Sequence, residues 1–101
     1  MMYSSFDHFF TILGNNRRVR ILQLLAGDGP MSVSTISEAL HTEQSAVSHG
    51  LRKLLQCHFV IVTQDKKERI YQINEETVRP LLDQIQTHVS KNCVESCKHW
   101  D

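Results

Sequence analysis

Apolar positions fall at helical spacing in successive stretches of this chain, and two short runs rich in β-branched residues lie before the last of them. Phe6, Phe9, Phe10 and Leu13 follow the i, i+3, i+4, i+7 pattern of an amphipathic helix, with Ser4 or Ser5 placed to cap it and Gly14 to end it. Asn15 or Asn16 caps a second helix that runs to about Ala26. Its Ile21, Leu22, Leu24 and Leu25 occupy more than one face, as in a helix central to a core. Gly27, Gly29 and Pro30 then break the chain. Ser32 heads a short third helix with Val33, Ile36 and Leu40 inward, His41-Thr42 makes a turn, and Thr42 is the expected N-cap of a fourth helix. Val47, Leu51, Leu54 and Leu55 form the inward stripe of that helix. Gly50 lies inside it, where glycine costs about 1 kcal/mol relative to alanine; it either admits a neighbouring backbone or is simply tolerated.

Phe59–Thr63 and Arg69–Ile73 read as paired strands with a charged tip, Asp65-Lys66-Lys67-Glu68, between them. From Glu75 onward Val78, Leu81, Leu82, Ile85 and Val89 mark a long last helix, with Pro80 either near its start or kinking it. The pattern predicts a single, mainly α domain of about five helices with a two-stranded antiparallel wing, a winged helix-turn-helix. The helix-turn-helix spans about 32–56, the wing about 59–73, and the terminal helices about 5–14 and 76–99. Those terminal stripes exceed what the core needs for cover and predict dimerisation.

The fourth helix leaves Gln44, Ser45, Ser48, His49 and Arg52 facing outward. A helix that offers hydrogen-bonding side chains while its back is held to a core suits the DNA major groove, where arginine pairs with guanine and glutamine with adenine. Lys66, Lys67 and Arg69 on the hairpin suit phosphates, adding affinity with little sequence information. The expected partner is a double-stranded DNA operator bound by a homodimer, because paired reading helices must reach major grooves about 34–36 Å apart.

Composition adjusts this picture only in part. The 101 residues carry a formal net charge of zero, but distribution matters more than the sum. Between Gln44 and Ile73 the charged residues are Arg52, Lys53, Lys66, Lys67 and Arg69 against Asp65 and Glu68, with much of the acidic charge elsewhere. No apolar run reaches the roughly 18 residues of a membrane span, and no basic start leads into an apolar stretch as in a secretory signal. The odd set of cysteines, Cys57, Cys93 and Cys97, is no disulfide framework and fits a reducing cytoplasm. No phosphate-binding glycine loop, nucleophile elbow or paired-carboxylate constellation points to an enzyme.

Ala39-Leu40, Gln44, Val47-Ser48, Leu51 and Leu54, preceded by the segment Leu13–Leu22 and followed by Ile70-Tyr71-Gln72-Ile73, resemble the ArsR/SmtB family of small winged-helix repressors in coherent order. The resemblance implies a homodimer that represses transcription and releases DNA when an effector binds, with the recognition helix at about Glu43–Gln56. Gly50 departs from the family, which commonly has histidine there. The positions of the family's thiolate site hold Ser32 and Ser34, and hydroxyls do not replace thiolates for soft metals or arsenite. The positions of its zinc-type site on the last helix hold Glu75, Thr77, His88 and Lys91, where two donors face an opposing ammonium.

The tail offers a different arrangement. Cys93 and Cys97 lie at i and i+4, continuing the stripe of Ile85 and Val89, with His88 and His99 as nearby donors. Three readings stay open: binding of a soft metal ion or metalloid by thiolates, thiol redox sensing, and packing as small apolar residues beside Trp100 at a dimer interface. A mutual disulfide fits poorly on an intact helix, since its Cβ atoms must come within about 3.5–4.5 Å. No cofactor is required for the fold, and Cys57 reads as structural. Two other functional classes remain beside the DNA-binding regulator: a winged-helix module that binds another protein, and a small thiol- or metal-handling protein that does not bind DNA.

Overall fold

The computed structural model describes residues 2–92. Over them run α1 (Met2–Leu13), α2 (Asn16–Asp28), β1 (Met31–Ser32), α3 (Val33–Leu40), α4 (Gln44–Gln56), β2 (Val60–Asp65), β3 (Glu68–Ile73) and α5 (Val78–Asn92). The helices and the two-stranded antiparallel wing are those the pattern predicts, and a short strand ahead of α3 adds to the wing's sheet. Met31 and Ser32 pair antiparallel with Tyr71 and Ile70, giving a sheet in the order β1-β3-β2. A two-residue strand is too short to carry a periodicity, and Ser32 is extended here as part of capping α3.

The core is built by α2, α4 and the sheet. Ile21, Leu22 and Leu25 of α2, Ile36 of α3, Val47, Leu51 and Leu54 of α4, and Phe59, Val60, Tyr71 and Ile73 of the sheet region are buried together. Leu24 and Leu55 are only partly buried at the margin. The phenylalanine stripe of α1 divides. Phe9 stacks on Phe59 with ring centroids 4.9 Å apart, and Ile12, four residues before Asn16, is buried in the same core. Phe6 and Phe10 are left 59% and 62% exposed.

Local chemistry fixes the element ends. The Asn15 side chain accepts from the Arg18 N–H at 3.0 Å and caps α2. α2 continues past Ala26 through Gly27 to Asp28, and Gly29, at φ 93°, ends it with its N–H on the Leu25 carbonyl. Ser4 and Ser5 lie inside α1, which starts ahead of both, so neither is its cap. Thr42 is not the cap of α4 either. Glu43 takes that position without a side-chain bond, because the Thr42 hydroxyl donates back to the Leu40 carbonyl at 3.0 Å. Pro80 is the third residue of α5, where no helical N–H is needed, so the helix begins two residues earlier and Pro80 sits in its first turn. Asn74 joins the pieces: its Nδ2 donates to the His58 carbonyl, and its Oδ1 accepts from the N–H groups of Glu76 and Thr77 ahead of α5. The part of the expected last helix beyond Asn92 lies outside the described residues.

Candidate nucleic-acid interface

α4 is held from behind. Val47, Gly50, Leu51 and Leu54 are buried along one face, while Gln44, Ser45, His49 and Arg52 are exposed on the other and Ser48 is half-buried between them. Gly50 faces α2. A Cβ built there would lie 3.2 Å from Ile21 Cδ1 and 3.7 Å from Arg18 Cγ. The close neighbours are therefore side chains of α2 and not a backbone. A side chain at this position would press on Ile21.

The turn before α4 is equally specified. His41 adopts the left-handed conformation, at φ 52° and ψ 47°, and its N–H reaches the Glu38 carbonyl at 3.3 Å. The Thr42 N–H donates to the Ser37 carbonyl at 3.0 Å, and the Ser37 hydroxyl donates to the Thr42 carbonyl. These bonds satisfy the last carbonyls of α3 and fix the direction in which α4 leaves. Ser32 Oγ lies 3.2 Å from Ser34 Oγ and 3.1 Å from Thr35 Oγ1 while accepting from the Thr35 N–H. The two serines at the family's thiolate positions thus serve the start of α3, and their hydroxyls do not fit a soft metal.

Beyond α4, β2 and β3 pair from Val60↔Ile73 to Asp65↔Glu68 around the two-residue tip Lys66-Lys67. Lys66 has φ 60°, and Gln64 Nε2 braces the tip by donating to the Lys66 carbonyl at 3.2 Å. Lys66, Lys67 and Arg69 are all exposed. Asp65 and Glu68 face each other across the ladder, so the tip carries both signs of charge, with Arg69 just behind it opposite Gln64. The fold therefore exposes four of the five predicted contact residues on α4, with Ser48 half-buried, and all three on the hairpin.

Two features were not among the predicted contact residues. Asn15, Asn16, Arg17, Arg20, Leu40 and Thr42 line a cleft of about 310 Å³ beside the start of α4. Its signal in the sequence is the crowding of Arg17, Arg18 and Arg20 into the first turns of α2, a place that ordinarily disfavours cations. The second is Arg79 of α5, which donates to the Ala26 carbonyl of α2 at 3.1 Å and pairs with Glu75. The Arg79 hydrogen bond holds the Glu75 carboxyl below its usual range, and the same bond raises Arg79.

The candidate effector residues are placed less completely. His88 is exposed on α5, with Asn92 Nδ2 at 3.4 Å from its Nδ1. Glu75 is engaged by Arg79 through both carboxylate oxygens, so the zinc-type positions Glu75, Thr77, His88 and Lys91 do not fit a metal centre. Among the described residues no group of three His, Cys, Asp or Glu side chains could hold a metal ion. Cys57 is half-buried against the core. Cys93, Cys97 and His99 lie outside the described residues. No helix among those described is long and apolar enough to cross a membrane.

Comparison with known proteins agrees with this geometry. The sequence profile of the bacterial regulatory proteins of the arsR family matches residues 15–62. The HTH-type transcriptional regulator NmtR of Mycobacterium tuberculosis is 36% identical over 76 residues, which make up 75% of this chain and 62% of NmtR. The match thus spans less than two thirds of that relative's length. Among solved structures, the homodimeric winged helix-turn-helix DNA-binding domain Mb0332 of Mycobacterium bovis is 25% identical with a TM-score of 0.84, covering 91% of this chain and 84% of that one. Rv0081 of M. tuberculosis is 26% identical with a TM-score of 0.81, covering 89% and 90%. The turn and α4 lie inside the stretch that matches the arsR family of bacterial regulatory proteins, and the fold is the one these solved structures share.

Proposed function

We propose that the protein is a homodimeric, sequence-specific DNA-binding regulator of transcription, a repressor that leaves its operator when an effector acts. The observation that carries this reading is the two-sidedness of α4. Its rear is sealed into the core, and its front offers Gln44, Ser45, Ser48, His49 and Arg52 with little competing for them inside the molecule. Such a helix can enter a groove about 12 Å wide and form paired hydrogen bonds to base edges. Lys66, Lys67 and Arg69 would hold the flanking phosphates. That NmtR is a transcriptional regulator and Mb0332 a homodimeric DNA-binding domain supports the same reading.

Dimerisation is supported by the apolar surface the monomer leaves open. Phe6 and Phe10 of α1, with Ile85 and Val89 of α5 at 42% and 41% exposure, are large side chains that the core does not use. An apolar groove of about 680 Å³ runs between α1, α2 and α5, with Leu13, Val19, Leu82, Ile85 and Val89 in its wall. A second copy covers these surfaces and sets the separation of the two reading helices.

The effector is proposed to act at Cys93 and Cys97, through thiol oxidation or through capture of a soft metal ion or metalloid with His88 or His99 as a further donor. Their i, i+4 spacing in the continuation of the α5 stripe supports this. A gel-shift with duplex from upstream of the protein's own gene, run on reduced, oxidised and metal-treated protein, tests both parts. Retarded duplex that is released on one treatment, but not from Cys93→Ser/Cys97→Ser, is the expected result. Equal affinity in all states removes the effector role. In the same assay Arg52→Ala weakens binding by about 1–3 kcal/mol for each arginine–guanine pairing it removes. Wild-type affinity in an Arg52→Ala dimer of unchanged melting temperature contradicts the assignment of the reading face.

A further inference from the structure

We infer that Arg17 and Arg20 of α2 form a clamp for the DNA phosphate backbone beside the start of the reading helix, a third contact in addition to α4 and the wing. This rests on the DNA-binding reading of α4. The two arginines stand at i and i+3 on one face of α2, both exposed, and both line the cleft of about 310 Å³ with Asn15, Asn16, Leu40 and Thr42. Thr42 lies two residues before Gln44, so the cleft opens within about 7 Å of backbone from the first reading side chain. When the N-terminal part of a reading helix enters the major groove, the phosphates on the rim of that groove face the segment leading into it.

The placement of these arginines serves stability poorly. Cations in the first turns of a helix oppose its macrodipole, and like charges at i, i+3 repel. The first turn of α2 has no acidic residue to offset them. Of the three arginines there, Arg18 is occupied within the fold. Its Nε donates to the Ile12 carbonyl at 2.8 Å and its Nη2 to the Thr11 carbonyl at 3.2 Å, closing the C-terminal end of α1. Arg17 and Arg20 make no ion pair among the described residues. Two exposed arginines lining one open cleft suit a phosphodiester, whose charge would relieve the repulsion between them. The contact goes to the backbone, so it adds affinity without reading sequence.

The test uses full-length protein and a duplex selected by the wild type from a random-sequence pool, with an unrelated duplex beside it. Affinity is measured against salt for wild type, Arg17→Gln/Arg20→Gln, Arg17→Lys/Arg20→Lys and Arg52→Ala. Each phosphate contact contributes about 0.9 to the slope of log affinity against log salt, so each arginine removed lowers it by about 1.8 in a dimer and the pair by about 3.6. The glutamine variant is expected to weaken selected and unrelated duplexes by the same factor, to keep or raise the melting temperature, and to be restored by lysine. A glutamine variant with the wild-type slope, while Arg52→Ala loses affinity, overturns the clamp and leaves the reading helix standing. A slope that falls equally in the lysine variant, or a lowered melting temperature, assigns the arginines to structure and also overturns it. Absence of duplex binding by wild type at low salt overturns the DNA-binding reading and the clamp together.

Discussion

Replacing Gly50 by alanine sets two effects of similar size against each other. Alanine in a helix interior is favoured over glycine by about 0.8–1.0 kcal/mol. Opposing this, the new methyl would sit 3.2 Å from Ile21 Cδ1 and 3.7 Å from Arg18 Cγ, where carbon atoms prefer about 3.5–4.0 Å. Ile21 is fully buried, so its Cδ1 has core atoms behind it and must move a few tenths of an ångström into them. Overpacking of that kind costs about 1–3 kcal/mol, and the expected net effect is a loss of up to about 2 kcal/mol. Ile21→Val removes the opposing atom itself and alone costs about 0.5–1.5 kcal/mol. In the double variant the alanine methyl occupies the space that Cδ1 vacates. The pair is therefore non-additive, with the double variant more stable than the sum of the singles by about 0.5–1.5 kcal/mol. Urea unfolding followed by circular dichroism, at one protomer concentration because a dimer unfolds by mass action, reads all four corners of the cycle. Additivity within about 0.3 kcal/mol refutes the idea that contact with Ile21 determines the residue at position 50.

Three further outcomes follow from single side chains. Arg18→Ala frees the Ile12 and Thr11 carbonyls and costs about 1–2 kcal/mol in urea unfolding, while Arg18→Lys recovers only part because one ammonium cannot replace the two-pronged donor; an alanine variant as stable as wild type contradicts this. Lys66→Ala lowers the salt slope of duplex binding by about 0.9 per protomer with no change in melting temperature, and an unaltered slope removes the hairpin tip from the footprint. Arg79→Ala is less stable than wild type at neutral pH, and the gap narrows in acid. Glu75 has a lowered pKa, so its share of stability is present above the ordinary glutamate range and is lost as pH falls through the lowered value. The bond to the Ala26 carbonyl survives protonation of Glu75, so some difference in melting temperature persists. A gap that is constant down to about pH 3 contradicts the role of the ion pair.

The exposed polar face of α4 was legible because the helix is strongly two-sided. Val47, Leu51 and Leu54 recur at i, i+4, i+7, and what lies opposite them is polar. Other features depended on choices that only packing makes. Phe6, Phe9 and Phe10 look alike in a stripe, yet Phe9 goes to the core and its neighbours stay outside, because a core face and an intermolecular face have the same composition. Thr42 has the chemistry of an N-cap, but its backbone groups are taken by Ser37 and its hydroxyl turns to Leu40, which leaves the cap position to Glu43. β1 is two residues long and is defined by its partner in β3, far along the chain. Arg17, Arg18 and Arg20 read as one basic run. The Arg18 bonds to α1 separate it from the other two, and no spacing rule carries that information.

In the proposed complex two copies of α4 reach successive major grooves of one duplex. Methylation protection of guanine N7, read on both strands of the selected duplex with the full-length protein bound, tests it directly. Two protected patches centred about 10–10.5 base pairs apart, both weakened by Arg52→Ala, are expected. One patch alone, or retardation of the duplex with every guanine N7 still reactive, would contradict it.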